Sequence, residues 1–320
     1  MKYRRLGKTG LKVSEIGLGS WLIDERTSEG NNAEAIVDRA YESGINFFDS
    51  ANSYSKGTAE VVLGKALNKY PRHSYVIATK VFLPMGGGPN DKGLSRKHIM
   101  EQCDASLKRL GVEYIDLYQC HRYDPETPLE ETLRALDDLV SQGKILYAGV
   151  SEWSADQLYD AVSLSKKLNL HQIASNQPYY NMFHRNIEKE IIPLSEQKGI
   201  GQVVYSPLAQ GVLTGKYKPG IAFPKGSRAS NHKANMYMGY VLKEKQLQKV
   251  EKLKGIAERN EISVAQLALA WILRLQNISS CIIGASRADQ VNENVKASGI
   301  ELCTEDLQEI ERILDYKNAR

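Results

Sequence analysis

A chain of 320 residues with 42% apolar and 25% charged residues has the composition of a globular protein that buries a full core, which excludes extended disorder. The formal charge of +4 is small and the basic residues alternate with acids along the predicted helices, which argues against a nucleic-acid-binding surface and leaves open one local basic site for an anionic small molecule. No apolar run reaches the roughly eighteen residues of a membrane span and the N-terminus lacks a signal-peptide core, so we expect a cytoplasmic protein.

Eight short segments rich in β-branched or aromatic residues recur along the chain and predict strands. Several of them are continuous apolar runs, which are typical of parallel strands covered on both faces. In chain order the segments are residues 13–19, 45–50, 75–80, 114–121, 145–151, 173–177, 202–207 and 280–286.

Helical patterns separate these strands. Residues 32–44 carry apolar side chains at helical spacing and stop at Gly44, and residues 95–111 begin with a serine suited to an N-cap. The S-x-x-Q motifs at 154–157 and 263–266 are typical of capping boxes, which mark helix starts.

The alternation of strand and helix favours a single (β/α)₈ TIM barrel domain over residues 1–320, with a doubly wound open sheet as the alternative. That alternative would need a glycine-rich dinucleotide turn after the first strand, and GLGS at 17–20 is too short for one. Residues 1–12 contain GKTG between short β-like pieces, which predicts a hairpin closing the barrel bottom. The segments 83–95 and 209–240 are expected to line or cover the opposite mouth.

The four cysteines, Cys103, Cys120, Cys281 and Cys303, are widely separated. They form neither a C-x-x-C pair nor a metal-ligand spacing with histidine. We interpret them as reduced thiols, most of them buried, and predict no metal site.

Titratable side chains end or follow the second, third and fourth predicted strands. Because the C-terminal ends of barrel strands converge on one mouth, Asp49, Tyr54, Lys80 and His121 are expected to meet there. Each has an ordinary structural explanation by itself, such as a helix cap for Asp49 or a core histidine for His121. Chance rarely brings four such groups to one mouth.

These four residue types suit the reduction of a carbonyl group. A tyrosine with a pKa of about 10 is a poor acid unless its phenolate is stabilised, and Lys80 beside Tyr54 would supply that charge. Asp49 would keep Lys80 charged and oriented, while His121 would polarise a carbonyl oxygen or relay a proton to Tyr54. The hydride must come from a cofactor, since no side chain supplies one.

Asp49, Tyr54, Lys80 and His121 resemble the tetrad of the aldo-keto reductases, and the chain resembles that superfamily over nearly its whole length. The segments SPLAQGVLTGKY and IIGASRADQVNEN are particularly similar to the potassium-channel beta-subunit branch and its bacterial relatives. In the channel subunits the fourth position looks like asparagine, so His121 departs toward an ordinary reductase. The resemblance implies an NADP(H)-dependent reductase of aldehydes or ketones with Tyr54 as general acid.

The resemblance also implies cofactor contacts, which fall into three groups. At the nicotinamide end, Tyr205 would stack on the ring, and Ser151, Asn176 and Gln177 from strands five and six would hydrogen-bond the carboxamide. The full set at this end would be Gly19, Ser20, Trp21, Asp49, Ser151, Asn176, Gln177 and Tyr205. At the pyrophosphate they would be Ser206, Pro207, Leu208, Gln210, Gly211 and Lys216. At the adenine and 2′-phosphate they would be Arg228, Gly284, Ser286, Arg287, Gln290, Glu293 and Asn294.

The proposed 2′-phosphate end has a physical basis in charge and backbone geometry. The motif after the eighth strand opens a helix, where free amides and the helix dipole favour a phosphate. Arg228 and Arg287 would clamp that phosphate, which favours NADP(H) over NAD(H). Gly226 stands where the channel relatives carry an aromatic residue, so a looser clamp is expected.

Two other classes of function stay open. The channel-type similarity favours a cofactor-binding regulatory subunit of a larger assembly with little turnover, against which His121 and the lack of an obvious partner-binding extension weigh. A barrel enzyme using a metal or a Schiff base has Lys80 as its only support. The expected partner is a small carbonyl compound, and the family likeness suggests homo-oligomers. The sequence names neither the substrate nor the oligomeric state.

Overall fold

Eight parallel strands close into a barrel in a computed structural model that describes residues 1–22, 32–224, 227–230, 238–239 and 241–315. The strands are β1 (Tyr3–Arg5), β2 (Lys12–Ser14), β3 (Ile16–Gly19), β4 (Phe47–Asp49), β5 (Val76–Val81), β6 (Ile115–Cys120), β7 (Ile145–Ser151), β8 (Ile173–Gln177), β9 (Gly201–Tyr205) and β10 (Ile278–Ile283). From β3 onward each strand pairs in parallel with the next, and β10 closes the barrel on β3. The predicted TIM barrel is confirmed and the open-sheet alternative is wrong.

Helices surround the barrel at the predicted places. They are α1 (Asn32–Glu42), α2 (Thr58–Leu67), α3 (Arg96–Leu110), α4 (Leu129–Ser141), α5 (Ala155–Lys167), α6 (Ile191–Lys198), α7 (Glu244–Arg259), α8 (Val264–Leu273), α9 (Ala288–Val295) and α10 (Thr304–Leu314). Ser154 and Ser263 form the two predicted capping boxes, and Ser95 accepts a hydrogen bond from the backbone N–H of His98. None of the helices in the described ranges has the length and apolar character to cross a bilayer.

The predicted N-terminal hairpin is present, with β1 and β2 antiparallel. It closes the bottom of the barrel, where the buried side chain of Leu6 packs with Val203 in the barrel interior. The Lys8 backbone N–H donates to the Gly199 carbonyl over 2.9 Å. Gly7 has φ of +57°, and a Cβ there would lie 2.3 Å from the Gly199 oxygen, so the close approach of the turn to the barrel requires glycine.

The core has two layers, which explains the continuous apolar runs of the strands. Phe47 belongs to the cluster inside the barrel, whereas Phe48 packs in the larger cluster between strands and helices. Because side chains alternate along a strand, Asp49 shares the inward face with Phe47, one step nearer the mouth. The sequence FFD therefore places one aromatic in each layer and a carboxylate at the top of the barrel interior.

Three details differ from the sequence prediction or refine it. The segment 13–19 divides between β2 of the hairpin and β3 of the barrel. Cys103, Cys120 and Cys281 are buried, while Cys303 is exposed, and all four are free thiols. Within 209–240, short 3₁₀ turns cover Ala209–Thr214 and Arg228–Ser230. Gly226, expected to loosen the phosphate clamp, lies outside the described residues.

Candidate active site

Lys80 lies fully buried at the centre of the predicted tetrad. Its ammonium group donates to Asp49 Oδ2 over 2.5 Å and to the Ser50 carbonyl over 2.7 Å. It also donates to the Tyr54 hydroxyl over 3.5 Å. The neighbouring strands β4 and β5 thus bring the carboxylate and the ammonium together, and Tyr54 reaches them from the turn after β4.

Two glutamine amides hold the other oxygen of Asp49. Gln177 donates to Asp49 Oδ1 over 2.9 Å, and Gln119 donates to the same oxygen over 3.3 Å. The Gln177 amide also donates to Gln119 Oε1 over 3.3 Å, and Ser151 Oγ donates to the Gln177 carbonyl over 2.8 Å. Asp49 is therefore fixed on both of its oxygens by buried partners from three other strands, β5, β6 and β8.

The titration of the pair follows from burial and charge. Burial alone would lower the pKa of Lys80, but Asp49 and Tyr54 beside it raise that pKa by more, so the lysine is charged at neutral pH. Burial raises the pKa of Tyr54, and Lys80 opposes this rise only in part. The expected stabilisation of the phenolate by Lys80 is thus present but smaller than the effect of burial. Tyr54 holds its proton at neutral pH, which is the form that a general acid needs.

His121 follows β6 at the barrel mouth and is 6% exposed. Its ring meets that of Tyr54 edge-on, with centroids 5.8 Å apart. Burial, and then the positive charges of Lys80 and Arg122, hold the pKa of His121 well below its ordinary value. Nδ1 is buried without a hydrogen-bond partner among the described residues. The imidazole is therefore neutral, and its unpartnered Nδ1 is buried away from the surface.

These residues line one end of a cleft of about 1290 Å³. Nearly all of the predicted site residues border the same cleft; the exceptions are Ser20, Lys80 and Asn176. Lys80 lies beneath Asp49 and Tyr54, and buried Ser20 donates to Ser50 Oγ over 2.8 Å. Asn176 donates to Gln202 Oε1 over 3.3 Å, on the opposite strand face from inward-facing Gln177. The expected carboxamide contact of Asn176 is therefore not supported by its position.

The loop after β9 has the geometry of an anion-binding nest. Ser206, Ala209, Gln210 and Gly211 all adopt left-handed φ values, +54°, +46°, +59° and +91°. Successive residues of this kind are typical of backbone nests that bind anions, although in this structure the Ala209 and Gly211 N–H groups donate to the Ser206 and Leu208 carbonyls over 3.1 and 2.8 Å. The Lys216 ammonium lies within 3.2 Å of the position that a Cβ on Gly211 would take. The described residues thus combine a backbone cradle with a cation.

The two arginines predicted to clamp a phosphate have protein contacts in this structure. The Arg287 guanidinium pairs with Asp289 over 3.1 Å through two hydrogen bonds at the start of α9. The guanidinium of Arg228 lies over the Trp21 ring, 4.6 Å from its centroid. Both residues border the cleft. The backbone N–H of Ser286 donates to Gln290 Oε1 over 2.9 Å, so this end of the cleft is also held by α9.

The aldo/keto reductase family model matches residues 15–315. The chain belongs to the aldo/keto reductase family. The family is one of oxidoreductases that generally use nicotinamide dinucleotides, and the match covers both the barrel and the cleft.

Three relatives of this aldo/keto reductase are similar over almost their full length. A probable voltage-gated potassium channel subunit beta of Arabidopsis thaliana is 43% identical, covering 100% of this chain and 98% of the relative. A protein described in the same words from Oryza sativa subsp. japonica is 41% identical with the same coverage. A putative voltage-gated potassium channel subunit beta of Schizosaccharomyces pombe is 43% identical, covering 98% of this chain and 93% of the relative. The predicted resemblance to the channel-subunit branch is confirmed.

Sequence reasoning missed several residues, some beside the cleft and some that border it. Gln119 is the clearest, because it lies two positions before His121 on one strand and period-two alternation puts both on the inward face. Glu152 accepts from the Tyr179 backbone N–H over 2.6 Å, and no motif marks that contact. The remaining unpredicted residues of the cleft include Leu22, Ser53, Leu83, Arg122, Tyr179 and His184.

Proposed function

We propose that the protein is an NADPH-dependent oxidoreductase that reduces aldehyde or ketone carbonyls to alcohols, with Tyr54 as the general acid. The observation that supports this best is the position of charged Lys80 between Asp49 and Tyr54, under a cleft that His121 also borders. This arrangement can protonate an oxygen atom without exposing the lysine to solvent. Bound NADPH would supply the hydride for the carbonyl carbon.

The roles of the four side chains follow from their protonation states. Neutral Tyr54 transfers its proton to the carbonyl oxygen, and Lys80 stabilises the negative charge that develops on the phenolic oxygen. Asp49 keeps Lys80 charged and aimed at that hydroxyl. Neutral His121 directs a ring N–H at the carbonyl oxygen and so favours the polarised form of the substrate.

The described residues fit NADPH along the length of the cleft. The nest at 206–211 with Lys216 suits a pyrophosphate, and the half-exposed ring of Tyr205 suits stacking. Arg228 and Arg287 would turn from Trp21 and Asp289 toward a 2′-phosphate, which supports NADP(H) over NAD(H). Ser151 and Gln177 would bind the carboxamide end.

The test is multiple turnover of NADPH with a panel of aldehydes, ketones and quinones, in the wild type and in Tyr54→Phe. The variant keeps the ring but loses the proton, so the chemical step should fall by roughly 10²–10⁴-fold with NADPH affinity nearly intact. Tyr159→Phe, at a 51% exposed position on α5, is the matched control and should behave as the wild type. Full activity of Tyr54→Phe would refute the assignment of the acid.

A second candidate function is a cofactor-binding regulatory subunit with little turnover. The observation that favours it is the 41–43% identity to proteins named as potassium channel beta subunits. Stoichiometric NADPH binding without multiple turnover on any carbonyl compound would support this candidate over the reductase. A histidine at position 121, with its ring against that of Tyr54, favours the reductase.

Schiff-base chemistry at Lys80 fits the structure poorly. A lysine attacks a carbonyl only as the neutral amine. Burial lowers the pKa of Lys80, but Asp49 and Tyr54 raise it by more, so the amine stays charged. Its side chain has no exposed surface. Borohydride should therefore trap no substrate adduct on the protein.

We further propose that residues 1–320 form one aldo-keto reductase domain that acts in the cytoplasm on a small carbonyl compound and assembles with copies of itself. The closed barrel supports the single domain, because its strands span Ile16 to Ile283. Four free cysteines support a reducing compartment. Light scattering of the purified protein would measure its oligomeric state.

A further inference from the structure

We infer that Arg122 recognises a carboxylate on the substrate, so that the preferred substrates are aldehydes or ketones that carry a negative charge. This inference rests on the proposed carbonyl reduction and adds the class of substrate to it. Arg122 follows His121 directly and borders the same cleft as Tyr54 and His121.

No carboxylate in the part of the chain that the structure describes neutralises the guanidinium of Arg122. Within the described ranges its one hydrogen bond runs from Nη1 to the His121 carbonyl over 2.6 Å, and it makes no ion pair with a carboxylate. The other cations of the cleft have evident roles elsewhere: Arg287 pairs with Asp289, and Lys216 lies at the backbone nest. A half-buried guanidinium with N–H groups to spare is suited to a bidentate contact with a carboxylate.

The segment that carries Arg122 is held rigidly on both sides. Before it, the His121 backbone N–H donates to the Val81 carbonyl over 2.8 Å. After it, Asp124 accepts from the Leu94 backbone N–H over 2.7 Å and from Thr127 Oγ1 over 2.8 Å. The guanidinium is therefore presented from a fixed backbone, which lowers the entropic cost of binding a ligand there.

The charge of Arg122 reaches the reacting groups. Burial is the largest cause of the pKa shifts of Tyr54, His121 and Tyr205, and the positive charge of Arg122 contributes to the pKa of all three. It adds to the lowering at His121 and opposes the rise at both tyrosines. Arg122 directly follows His121, whose ring centroid lies 5.8 Å from that of Tyr54, so an anionic group bound at Arg122 would be close enough to the tetrad to belong to a small substrate whose carbonyl meets Tyr54.

The acidic groups nearby do not cancel this charge. Asp49 is paired with Lys80, with 2.5 Å between Oδ2 and Nζ. Glu152 accepts a hydrogen bond from the Tyr179 backbone N–H over 2.6 Å. Among the described residues, neither of these carboxylates is paired with Arg122, which can therefore meet a substrate anion.

The test compares two aldehydes of matched shape, para-carboxybenzaldehyde and its uncharged carboxamide, with NADPH in excess. The wild type should prefer the carboxylate in kcat/KM by about tenfold or more, since a charge-assisted contact exceeds a neutral one by roughly that factor in affinity. Arg122→Met should abolish this preference, mainly through KM, and Arg122→Lys should keep part of it. Arg134→Met is the control for net charge, because Arg134 is a surface residue of α4 paired with Glu130.

The outcomes separate this inference from the proposed function. Equal carboxylate-to-carboxamide ratios in the wild type and Arg122→Met would overturn the inference while leaving carbonyl reduction intact. If no aldehyde is turned over, the proposed function fails. Calorimetric titration of the NADP⁺-loaded protein with the same two compounds then tests whether Arg122 binds an anion. Tighter binding of the carboxylate, lost in Arg122→Met, supports the site; equal affinity for both compounds overturns it.

Discussion

The side-chain amide of Gln177 donates a hydrogen bond to Asp49 Oδ1 over 2.9 Å. This bond joins the wall that is proposed to hold the nicotinamide to the ion pair that is proposed to support the acid. Gln119 completes the link, because it donates to the same oxygen and accepts from the same amide. A change at Gln119 should therefore affect the reaction without touching a substrate or cofactor.

We predict that Gln119→Leu lowers kcat on a neutral aldehyde by roughly tenfold, since two buried hydrogen bonds of about 0.5–1.5 kcal/mol each are lost and Asp49 gains freedom to move. The KM for the aldehyde should change little. Gln119→Glu would place a second acid beside Asp49 and should be worse than Gln119→Leu, by like-charge repulsion. Steady-state kinetics of both variants measure this. A loss of thermal stability with unchanged kcat would show that Gln119 only packs.

A second prediction concerns Lys80 and its cost to the fold. Lys80→Met leaves Asp49 buried without its ion-pair partner, which should destabilise the protein by about 3–5 kcal/mol. The double change Asp49→Asn with Lys80→Met removes both charges and should recover most of that loss. Denaturant unfolding measures the free energies. Both variants should lack reductase activity, so recovered stability without recovered turnover would separate the structural role of the pair from its chemical role.

His121 gives a prediction about pH. Burial, followed by the charges of Lys80 and Arg122, lowers the pKa of His121 in the folded protein, whereas in the unfolded chain it titrates near the ordinary value of about 6.5. Below that pH the unfolded chain therefore binds a proton that the folded protein does not. The proton uptake of the unfolded chain at His121 does not affect stability above about pH 6.5. As the pH falls below that value, it lowers the free energy of unfolding by up to about 1.4 kcal/mol per pH unit.

His121→Asn removes this proton uptake, so the free energy of unfolding of the wild type relative to the variant should fall as the pH is lowered from about 6.5 to 5. Denaturant unfolding at several pH values, compared with His73→Asn on the exposed 3₁₀ turn Arg72–Ser74, measures it. Parallel pH profiles of wild type and His121→Asn would contradict the neutral buried imidazole. The variant should also show lower reductase activity at pH 7, because asparagine cannot replace the ring N–H at the same reach.

Backbone periodicity determines which residues of this site could be predicted from the sequence. Asp49, Lys80 and His121 could be placed together because barrel strands end at one mouth, and this requires no knowledge of side-chain conformation. Gln119 was equally accessible by alternation from His121, although nothing in its residue type suggests chemistry. The expectation for Asn176 conflicts with the same rule, since it and Gln177 are neighbours on β8 and face opposite sides.

Other features depend on contacts across the fold that no local pattern encodes. Arg122 has no signal in the sequence, and only the absence of a carboxylate partner among the described residues distinguishes it. The net rise in the pKa of Tyr54 depends first on burial and then on Lys80, and burial was not known from the sequence. The stacking of Arg228 on Trp21 joins positions that are distant in the chain.

The last prediction concerns cofactor choice at Arg228 and Arg287. NADPH differs from NADH by one 2′-phosphate, so a cationic pocket contributes affinity for the first and almost none for the second. Replacing both arginines by alanine should weaken NADPH binding by about 2–4 kcal/mol, if two charge-assisted contacts of roughly 1.5–3 kcal/mol each are lost with partial compensation by solvent. Because Arg228 must first leave Trp21 and Arg287 must first leave Asp289, the loss of NADPH binding free energy should lie near the lower figure, about 2 kcal/mol. Fluorescence titration of wild type and double variant with both cofactors, at one ionic strength, measures the effect, and the Arg134→Met surface variant controls for net charge. Equal losses for NADPH and NADH would mean that these arginines do not contact the 2′-phosphate.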